Sequence, residues 1–380
     1  MNVRDSEICT HAFEDHQAHH GAMIPPIYQT SLFTFPDLET FSHSQLKERE
    51  HFVYSRGLNP TVKLLEDKLA ALERGEHCKA FASGMGAISA TLMTLLGQGD
   101  HVLLVNQTYG PTVELLEHLR GFGIEYHTTA GGMDEIERAL RPETRLIYIE
   151  SPSSMLMQVA DLRGIAELAR ERGILTAIDN TWATPLFQKP LTLGIDLAIH
   201  TLSKYLGGHS DVVGGAVVGP HALIDRIFER GHQLLGATLS PHNAFLVLRG
   251  LRTLPIRMQQ HQANALRVID YLERQPEVAR IHHPSRLSGD AQRLARHQLS
   301  GYAGLLSLEL AAPDYARIAR FIDSLRIFKI GVSWGGYESL AISPLRPDGS
   351  GVPLIRLAVG LEDSELLLED LQRGFNAIRT

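Results

Sequence analysis

Several classes of protein are excluded by what this sequence has little of. Only two of its 380 residues are cysteines, Cys9 and Cys78, so a disulfide framework is ruled out and both thiols are expected to be free. Lysine and arginine number 36 against 43 acidic residues, and the net charge of −7 gives no reason to expect a nucleic-acid partner. No apolar run reaches the length of a membrane span, and the N-terminal residues lack the apolar core of a secretory signal. A cytoplasmic protein without membrane contact is therefore expected.

Patterns typical of nucleotide and metal sites are also absent. No Gly-x-Gly-x-x-Gly segment or P-loop follows a predicted strand, which argues against a nucleotide-binding α/β protein. The 19 histidines include the pairs His19-His20 and His282-His283, but neither pair has cysteines or carboxylates at ligand spacing. We therefore expect exposed polar histidines at these pairs and no metal site.

Apolar strands alternate with amphipathic helices from about residue 60 onwards. Such alternation predicts an α/β fold with a mainly parallel central sheet that carries helices on both faces. The chain is 44% hydrophobic and long enough for two domains. The predicted strands are 101–105, 144–149, 175–179 and 198–201, and the predicted helices are 61–72, 87–96, 113–119 and 162–171.

The pattern divides the chain into three segments. Residues 1–50 are poorly periodic and interrupted by prolines, which predicts an extended N-terminal arm that contacts a neighbouring subunit. Residues 51–244 hold the alternating strands and helices and form the predicted large domain. Residues 245–380 are expected to form a smaller C-terminal α+β domain, with a helix around 259–274 and strands at 304–310 and 354–359.

A single lysine follows the last strand of the large domain. The apolar segment 198–201 runs into Leu202-Ser203-Lys204-Tyr205 and then into a glycine pair. A lysine at such a point can be desolvated, which lowers its pKa and makes its neutral amine a nucleophile. Ligands of parallel sheets bind beyond the carboxyl ends of the strands. The sequence therefore predicts a binding site at Lys204 and suggests that this lysine forms a Schiff base.

Two further features match the requirements of a Schiff-base cofactor. Gly84 and Met85 follow Ser83 at the start of an apolar helix, where backbone N–H groups can bind a phosphate. The alternative is a tight turn between strand and helix. Asp179 closes an apolar strand and can keep a pyridine nitrogen protonated, so that the ring becomes an electron sink. The alternative is a capping carboxylate.

Other candidates complete the set. Tyr109 lies in a loop after strand 101–105 and can stack on a planar cofactor, although ordinary loop packing would also account for it. Arg356 sits inside an apolar strand, where its forked donors suit an α-carboxylate or, alternatively, an internal salt bridge. Thr201 and Ser203 flank Lys204 and can face the same phosphate, although strand propensity and capping also explain them.

Together these parts describe one pyridoxal phosphate site. It has a phosphate cup, a stacking ring, a carboxylate for the pyridine nitrogen, a Schiff-base lysine and an arginine for the substrate carboxylate. They occur in the chain order Gly84, Tyr109, Asp179, Lys204 and Arg356. Their joint occurrence in this context points to a pyridoxal phosphate enzyme far more strongly than any one of them.

From about residue 22 to the C-terminus the chain resembles the Cys/Met-metabolism family of fold-type I pyridoxal phosphate enzymes. The resemblance implies that Lys204 holds the cofactor, that Asp179 pairs with the pyridine nitrogen and that Tyr109 stacks on the ring. It also implies that the amides of Gly84 and Met85, with Thr201 and Ser203, bind the phosphate. The matching motifs are Tyr54-Ser55-Arg56, Ser83-Gly84-Met85-Gly86, Glu150-Ser151-Pro152, Asp179-Asn180-Thr181, Ser203-Lys204-Tyr205, Gly208-His209-Ser210-Asp211 and Ile355-Arg356-Leu357.

The resemblance has further consequences for assembly and catalysis. In such enzymes Tyr54 and Arg56 reach the phosphate of a neighbouring subunit, so the resemblance implies a homotetramer, a dimer of dimers with shared sites. Lys204 is the expected proton carrier, and Tyr109 or the neighbour's Tyr54 is expected to assist. Arg356 with Ser333, Trp334 and Tyr337 is expected to bind the amino-acid substrate.

Within the family, the segment 333–340 resembles that of bacterial cystathionine β-lyases, as does the segment 150–154. Many γ-acting relatives have leucine where Trp334 stands. Two positions depart from the pattern: Val332 stands where the enterobacterial β-lyase has tyrosine and many γ-enzymes have glutamate, and Tyr109-Gly110 resembles the γ-type loop.

The expected reaction is β-elimination on cystathionine, which gives homocysteine, pyruvate and ammonia, a step of methionine biosynthesis. The alternative is γ-elimination or γ-replacement on a cystathionine-, methionine- or homoserine-type amino acid. A catalytically silent binding protein is a further alternative, against which the complete set of cofactor residues argues.

Overall fold

A seven-stranded sheet forms the centre of the larger domain in the computed structural model, which describes residues 4–379. The strands are β1 (His77–Phe81), β2 (His101–Val105), β3 (Glu125–Thr129), β4 (Thr144–Glu150), β5 (Leu175–Asp179), β6 (Leu197–Thr201) and β7 (Gly215–Gly219). They are ordered β1-β7-β6-β5-β4-β2-β3. Only β7 runs against its neighbours, since it pairs antiparallel with β1 and β6 while the other pairings are parallel. The predicted, mainly parallel sheet is confirmed.

Helices cover both faces of this sheet. Val102 and Leu104 of β2 pack into one buried apolar cluster, while Leu103 and Val105 pack into another. Because side chains alternate along a strand, this division shows that both faces of the sheet are buried. The helices are α1 (Asp5–Thr10), α2 (Leu38–Gln45), α3 (Pro60–Glu73), α4 (Gly84–Leu95), α5 (Gly110–Arg120), α6 (Met133–Ala139), α7 (Leu162–Arg172), α8 (Thr184–Phe187) and α9 (His221–Arg226), which continues as a π-helical turn over Ile227–His232.

A second, five-stranded sheet forms the smaller α+β domain, as predicted. Its strands are β8 (Val278–His282), β9 (Leu305–Leu310), β10 (Lys329–Ile330), β11 (Leu340–Ile342) and β12 (Ile355–Ala358), in the order β10-β11-β12-β9-β8. Its helices are α10 (Pro241–Leu272), α11 (Gly289–Gln298), α12 (Tyr315–Asp323) and α13 (Ser364–Arg379). Buried Phe321 and Phe375 pack edge to face at a centroid separation of 5.0 Å in its core.

The long helix α10 belongs to both domains. It begins at Pro241 because the Ser240 hydroxyl caps it, accepting a hydrogen bond from the Asn243 N–H at 3.1 Å. Its first half packs into the core of the large domain, and its second half packs into that of the small domain. The predicted helix at 259–274 is therefore the second half of a longer element. The predicted boundary at residue 245 falls inside it and stays a prediction.

The N-terminal segment is only partly an exposed arm. Ile8 and Cys9 of α1 are buried against α3 and α10 of their own chain. The buried Lys68 Nζ donates to the Ile8 carbonyl at 2.9 Å and pairs with the buried Glu14 at 3.1 Å. Contact of residues 1–50 with a neighbouring subunit stays a prediction, and residues 1–3 of that range lie outside the described residues. Across residues 4–379, none of the helices has the length and apolar character needed to cross a membrane.

Candidate active site

A cavity of about 570 Å³ opens at the carboxyl ends of the central strands. Because β1, β4, β5 and β6 run in the same direction, the residues that end or follow them meet at this edge of the sheet. Segments of the small domain close the other side of the cavity. Ten of the thirteen predicted site residues line it, namely Gly84, Met85, Tyr109, Asp179, Thr201, Ser203, Lys204, Ser333, Trp334 and Arg356.

Lys204 lies on a turn directly after β6. Its Nζ donates a hydrogen bond to the Ser333 hydroxyl at 2.6 Å and lies 5.4 Å from the centre of the Trp334 ring. Burial and, to a smaller degree, the positive charge of Arg356 lower the pKa of the Lys204 amine to about 8, while Asp179 acts in the opposite direction. A larger fraction of this amine is therefore neutral and nucleophilic near neutral pH than in an exposed lysine.

Two carboxylates stand side by side in the floor of the cavity. Asp179 and Glu150 are register partners on the adjacent strands β5 and β4, and both are buried. Asp179 Oδ1 accepts from the Thr181 N–H at 3.0 Å. Burial raises the pKa of Asp179, and burial together with the charge of Asp179 raises the pKa of Glu150 to about 7. These carboxylates can interact with the positive charge of a cationic or protonated ring bound in the cavity.

Glu150 also joins two loops of the site. Its Oε2 accepts from the Tyr109 N–H at 2.7 Å, and its Oε1 accepts from the Ser154 N–H at 2.7 Å. The loop after β2, which carries the Tyr109 ring, is thereby fixed to the loop after β4. Glu150 is buried, so these hydrogen bonds are shielded from water.

The start of α4 forms a cluster of hydrogen-bond donors. The Ser83 hydroxyl caps the helix by accepting from the Gly86 N–H at 2.9 Å. The N–H groups of Gly84 and Met85 belong to the first turn and have no acceptor inside the helix. A Cβ at Gly84 would lie 2.2 Å from Thr201 Oγ1, so glycine is required for the close approach of α4 to the end of β6. The two amides and the Thr201 and Ser203 hydroxyls together form a set of donors suited to a phosphate.

Arg356 is a cation without a carboxylate partner in the described part of the chain. Among residues 4–379 no carboxylate lies within ion-pair distance of its guanidinium, which contacts the Met155 sulfur at 3.6 Å. Burial lowers the pKa of Arg356 to about 10, so it remains charged at neutral pH. An unpaired and largely desolvated guanidinium is a strong binding site for a carboxylate. The internal salt bridge considered as an alternative for Arg356 is not present.

The backbone at Ser333 is strained, and the packing of the next residue holds it in place. Ser333 has φ +109°, which is uncommon for a residue with a side chain. The next residue, Trp334, is buried and packs on the Tyr205 ring at a centroid distance of 5.4 Å. The Tyr205 hydroxyl in turn accepts from the Gly304 N–H at 2.8 Å. These contacts hold the Ser333 hydroxyl against the Lys204 amine.

Three predicted site residues lie outside the cavity. Tyr54, Arg56 and Tyr337 do not line the cavity. Tyr54 is 45% exposed, and its ring packs against the guanidinium of Arg56, whose Nε donates to Gln233 Oε1 at 3.0 Å. Their expected contact with a neighbouring subunit's phosphate stays a prediction, as does substrate binding by Tyr337.

Several lining residues were not singled out as functional by the sequence. Glu150 had a usable signal, because it ends a buried strand as Asp179 does. Val213 and Ile342 had none, since their place in the cavity depends on the turn before β7 and on the packing of the small domain. Thr181 and Trp182 directly follow β5 and also line the cavity.

Comparisons with known proteins agree with this geometry. Residues 6–376 match the model of the family described as Cys/Met metabolism PLP-dependent enzyme. The chain is 44% identical to an L-methionine γ-lyase of Pseudomonas putida, over 96% of this chain and 95% of that protein. It is 36% identical to a cystathionine β-lyase of Lactococcus lactis, over 93% and 94%. The crystal structure of a cystathionine γ-lyase from Lactobacillus plantarum, complexed with L-serine, superposes with a TM-score of 0.90 at 34% identity and covers 99% of this chain and 100% of that chain.

These matches extend over nearly the whole chain and include both sheets and the cavity between them. They confirm the cofactor and the fold that the sequence predicts. The chain belongs to the Cys/Met metabolism family of pyridoxal phosphate-dependent enzymes, whose members act on carbon–sulfur bonds.

Proposed function

We propose that this enzyme performs γ-elimination on a methionine-type amino acid, releasing a thiol, ammonia and a four-carbon 2-oxo acid. The distribution of charge in the cavity carries this proposal. The charged side chains that line it, within the described residues, are Lys204, Asp179, Glu150 and Arg356, all in its inner part. The exposed lining residues Val213 and Val332 are apolar, with Val332 82% exposed. An uncharged sulfur-bearing tail suits such a rim better than a tail that ends in a second amino-acid group.

The residues at the floor of the cavity suit pyridoxal phosphate, and we assign them accordingly. The Lys204 amine would hold the cofactor aldehyde, and Asp179 would hold the protonated ring nitrogen. Tyr109 would cover one face of the ring, while the amides of Gly84 and Met85 with the hydroxyls of Thr201 and Ser203 would bind the phosphate. When bound, the cofactor supplies an electron sink for the negative charge left by removal of a Cα proton.

The remaining steps are assigned to side chains of this chain. Arg356 binds the substrate carboxylate through its paired donors and fixes the Cα–H bond toward the Lys204 amine. The Lys204 amine, held by Ser333, removes the Cα proton and, after it has passed that proton on and is neutral again, removes a Cβ proton, as γ-elimination requires. The Cγ–S bond breaks, and Tyr109 or the neighbouring subunit's Tyr54 protonates the leaving sulfur. Water then releases ammonia and the 2-oxo acid.

We also propose an assembly in which neighbouring chains share each site. Tyr54 and Arg56 lie outside the cavity of their own chain, and the segment around them exposes large apolar residues such as Met23 and Leu32. A neighbouring copy that covers this segment would bring Tyr54 and Arg56 to its own phosphate cup. A homotetramer built as a dimer of dimers provides this arrangement.

β-Elimination on cystathionine is the second candidate, and one observation favours it. The Trp334 ring lies 5.4 Å from the Lys204 amine, at a position where many γ-acting relatives have leucine. A bulky ring there shortens the space beyond the substrate Cβ. In this reaction the Cβ–S bond breaks, and the products are homocysteine, pyruvate and ammonia.

Product identification separates the two candidates. We expect the cofactor-loaded enzyme to release methanethiol and 2-oxobutanoate from L-methionine, and cysteine and 2-oxobutanoate from L-cystathionine. Homocysteine and pyruvate from L-cystathionine, with no reaction of L-methionine, would establish β-elimination instead. A protein that binds the cofactor but releases no oxo acid from either substrate would contradict both candidates.

Val332 offers a test of the apolar rim. We expect Val332→Glu to lower kcat/KM for L-methionine about tenfold or more, because a charged group would face the uncharged tail of this substrate. L-Cystathionine, whose leaving group carries an ammonium that the glutamate can pair with beside its carboxylate, should lose less. Val352→Glu introduces the same charge at another exposed site, outside the cavity, and should change neither value. If Val332→Glu lowers kcat/KM equally for both substrates, the apolar rim does not distinguish substrates by their tails, and this part of the proposal is contradicted.

The pKa of about 8 for Lys204 predicts how cofactor-free protein takes up pyridoxal phosphate. Only the neutral amine attacks an aldehyde, so the uptake rate should rise about tenfold per pH unit below that pKa and level off above it. Stopped-flow absorbance between about pH 6 and 10 measures this. In Arg356→Gln the midpoint should move to higher pH, because the positive charge of Arg356 helps to lower the pKa. A wild-type rate that still rises steeply near pH 10 would contradict the prediction.

A further inference from the structure

A buried polar network lies behind the two strand ends that carry Asp179 and Lys204. Its centre is Glu73, the last residue of α3, which is fully buried. Glu73 Oε1 accepts from His200 Nε2 at 2.5 Å and from Asn180 Nδ2 at 2.7 Å. Gln188 extends the network, because its Nε2 donates to Asn180 Oδ1 at 2.9 Å and to a carbonyl after β4 at 2.7 Å. The ends of β4, β5 and β6 are thus tied together.

Strand geometry connects this network to the active site. Asn180 and His200 alternate with Asp179 and Thr201 along the chain, so the first two side chains point away from the cavity and the last two point into it. On the cavity side, Thr201 N–H donates to the Thr181 hydroxyl at 2.8 Å. On the side away from the cavity, Glu73 therefore links the ends of β5 and β6. The same two strand ends carry Asp179 and Lys204 toward the cavity.

The network contains unsatisfied polar atoms. Asp179, on the other side of the same strand end, is itself buried, which raises its pKa, while the hydrogen bonding of Thr181 acts against this rise. Glu73 Oε2 and His200 Nδ1 are also buried without a hydrogen-bond partner in the described chain. Such unsatisfied atoms destabilise a fold, so their presence beside a carboxylate of the site calls for a role beyond packing.

We propose that Glu73 is a positioning residue that, through His200 and Asn180, fixes these strand ends and thereby holds the Asp179 carboxylate against the cofactor's ring nitrogen. The proposal rests on the roles assigned above to Asp179 and Lys204. It predicts that weakening the two hydrogen bonds that Glu73 accepts loosens the hold on the ring. Glu73 touches neither substrate nor cofactor in this scheme and acts only through its two partners.

Glu73→Gln keeps the size of the side chain and removes the charge that strengthens these hydrogen bonds. The glutamine carbonyl can still accept from His200 and Asn180, and its NH₂ group takes the place of the unpartnered Oε2. We expect pyridoxal phosphate to bind about tenfold or more weakly, the size of effect that the outer partners of metal ligands have on metal affinity. In solid-state ¹⁵N NMR with ring-labelled cofactor, the fraction of protonated nitrogen should fall. Affinity within twofold of wild type together with an unchanged nitrogen signal would overturn the proposal.

A matched control separates this effect from general destabilisation. The side chain of Glu14 is similarly buried and pairs at 3.1 Å with Lys68, which lies in α3 as Glu73 does, but Glu14 does not line the cavity. Glu14→Gln should lower the denaturation midpoint and leave both the cofactor affinity and the nitrogen signal unchanged. If Glu14→Gln weakens cofactor binding as much as Glu73→Gln does, the special role of Glu73 is contradicted.

Two more variants keep the outcome decisive. If Glu73→Gln does not fold, His200→Gln removes the imidazole from the same network and is expected to give the same two changes. Asp179→Asn should abolish the protonated-nitrogen signal. If it does so while the network variants behave as wild type, only this inference fails. If Asp179→Asn leaves the signal intact, the proposed role of Asp179 fails as well.

Discussion

Replacement of Lys204 with alanine is expected to lower kcat by about 10⁴-fold, the upper end of the contribution of a positioned general base. The reason is that one amine serves twice, since Lys204 is assigned both as the attachment point of the cofactor and as the proton carrier. No other lysine lines the cavity among residues 4–379. Purified Lys204→Ala should therefore also lack the visible absorbance band of lysine-bound cofactor.

Lys189→Ala is the matched control for this prediction. Lys189 is also partly buried, but its amine donates to the carbonyls of Leu72 and Pro185 at 2.6 Å and pairs with Asp5 at 2.9 Å, away from the cavity. We expect this variant to lose some stability while keeping the absorbance band and kcat. Near-normal turnover in Lys204→Ala, measured by oxo-acid release, would contradict the assignment of Lys204.

The second large effect is expected at Arg356. Replacement by lysine keeps the charge but removes the forked pair of donors, so the substrate carboxylate is held by a single point of contact. We expect kcat/KM to fall about 10²- to 10³-fold, mainly through a higher KM, because loss of one partner from a buried charged pair has effects of this size. The absorbance band of the bound cofactor should persist, since Arg356 is not assigned to the cofactor.

Arg286→Lys provides the comparison. Arg286 forms ion pairs with Asp270 and Glu273 on the surface of the small domain, and such pairs contribute little. Steady-state kinetics of both variants with the same substrate measure the difference. A rise in KM of less than about threefold in Arg356→Lys, smaller than one buried hydrogen bond to a charged group accounts for, would contradict carboxylate binding by this residue.

The fold could be predicted where a strand's own residues reveal it. β2, β4, β5 and β6 are apolar, and each was found from its sequence. β1 was not, because Lys79 interrupts its apolar pattern, and only the structure shows that Lys79 is buried against Glu66 at 3.0 Å. β3 was not, because it is a largely exposed, polar edge strand.

The residues of the candidate site likewise fall into some that the sequence predicts and some that it does not. Residues that end or follow parallel strands were predictable, because such strands bring their carboxyl ends together, and this holds for Asp179 and Lys204. The pairing of Lys204 with Ser333 joins residues 129 positions apart, and no periodic pattern indicates it. The backbone contacts of Glu150 and the network around Glu73 likewise depend on packing between elements that lie far apart in the sequence.

The central claim is that pyridoxal phosphate is held at Lys204. Reduction of the cofactor-loaded enzyme with borohydride fixes the cofactor covalently to the amine that holds it, and digestion with mass spectrometry identifies the modified lysine. We predict that the modification lies on Lys204, at close to one cofactor per chain. Modification of a different lysine, or none at all in protein that turns over substrate, would contradict the account.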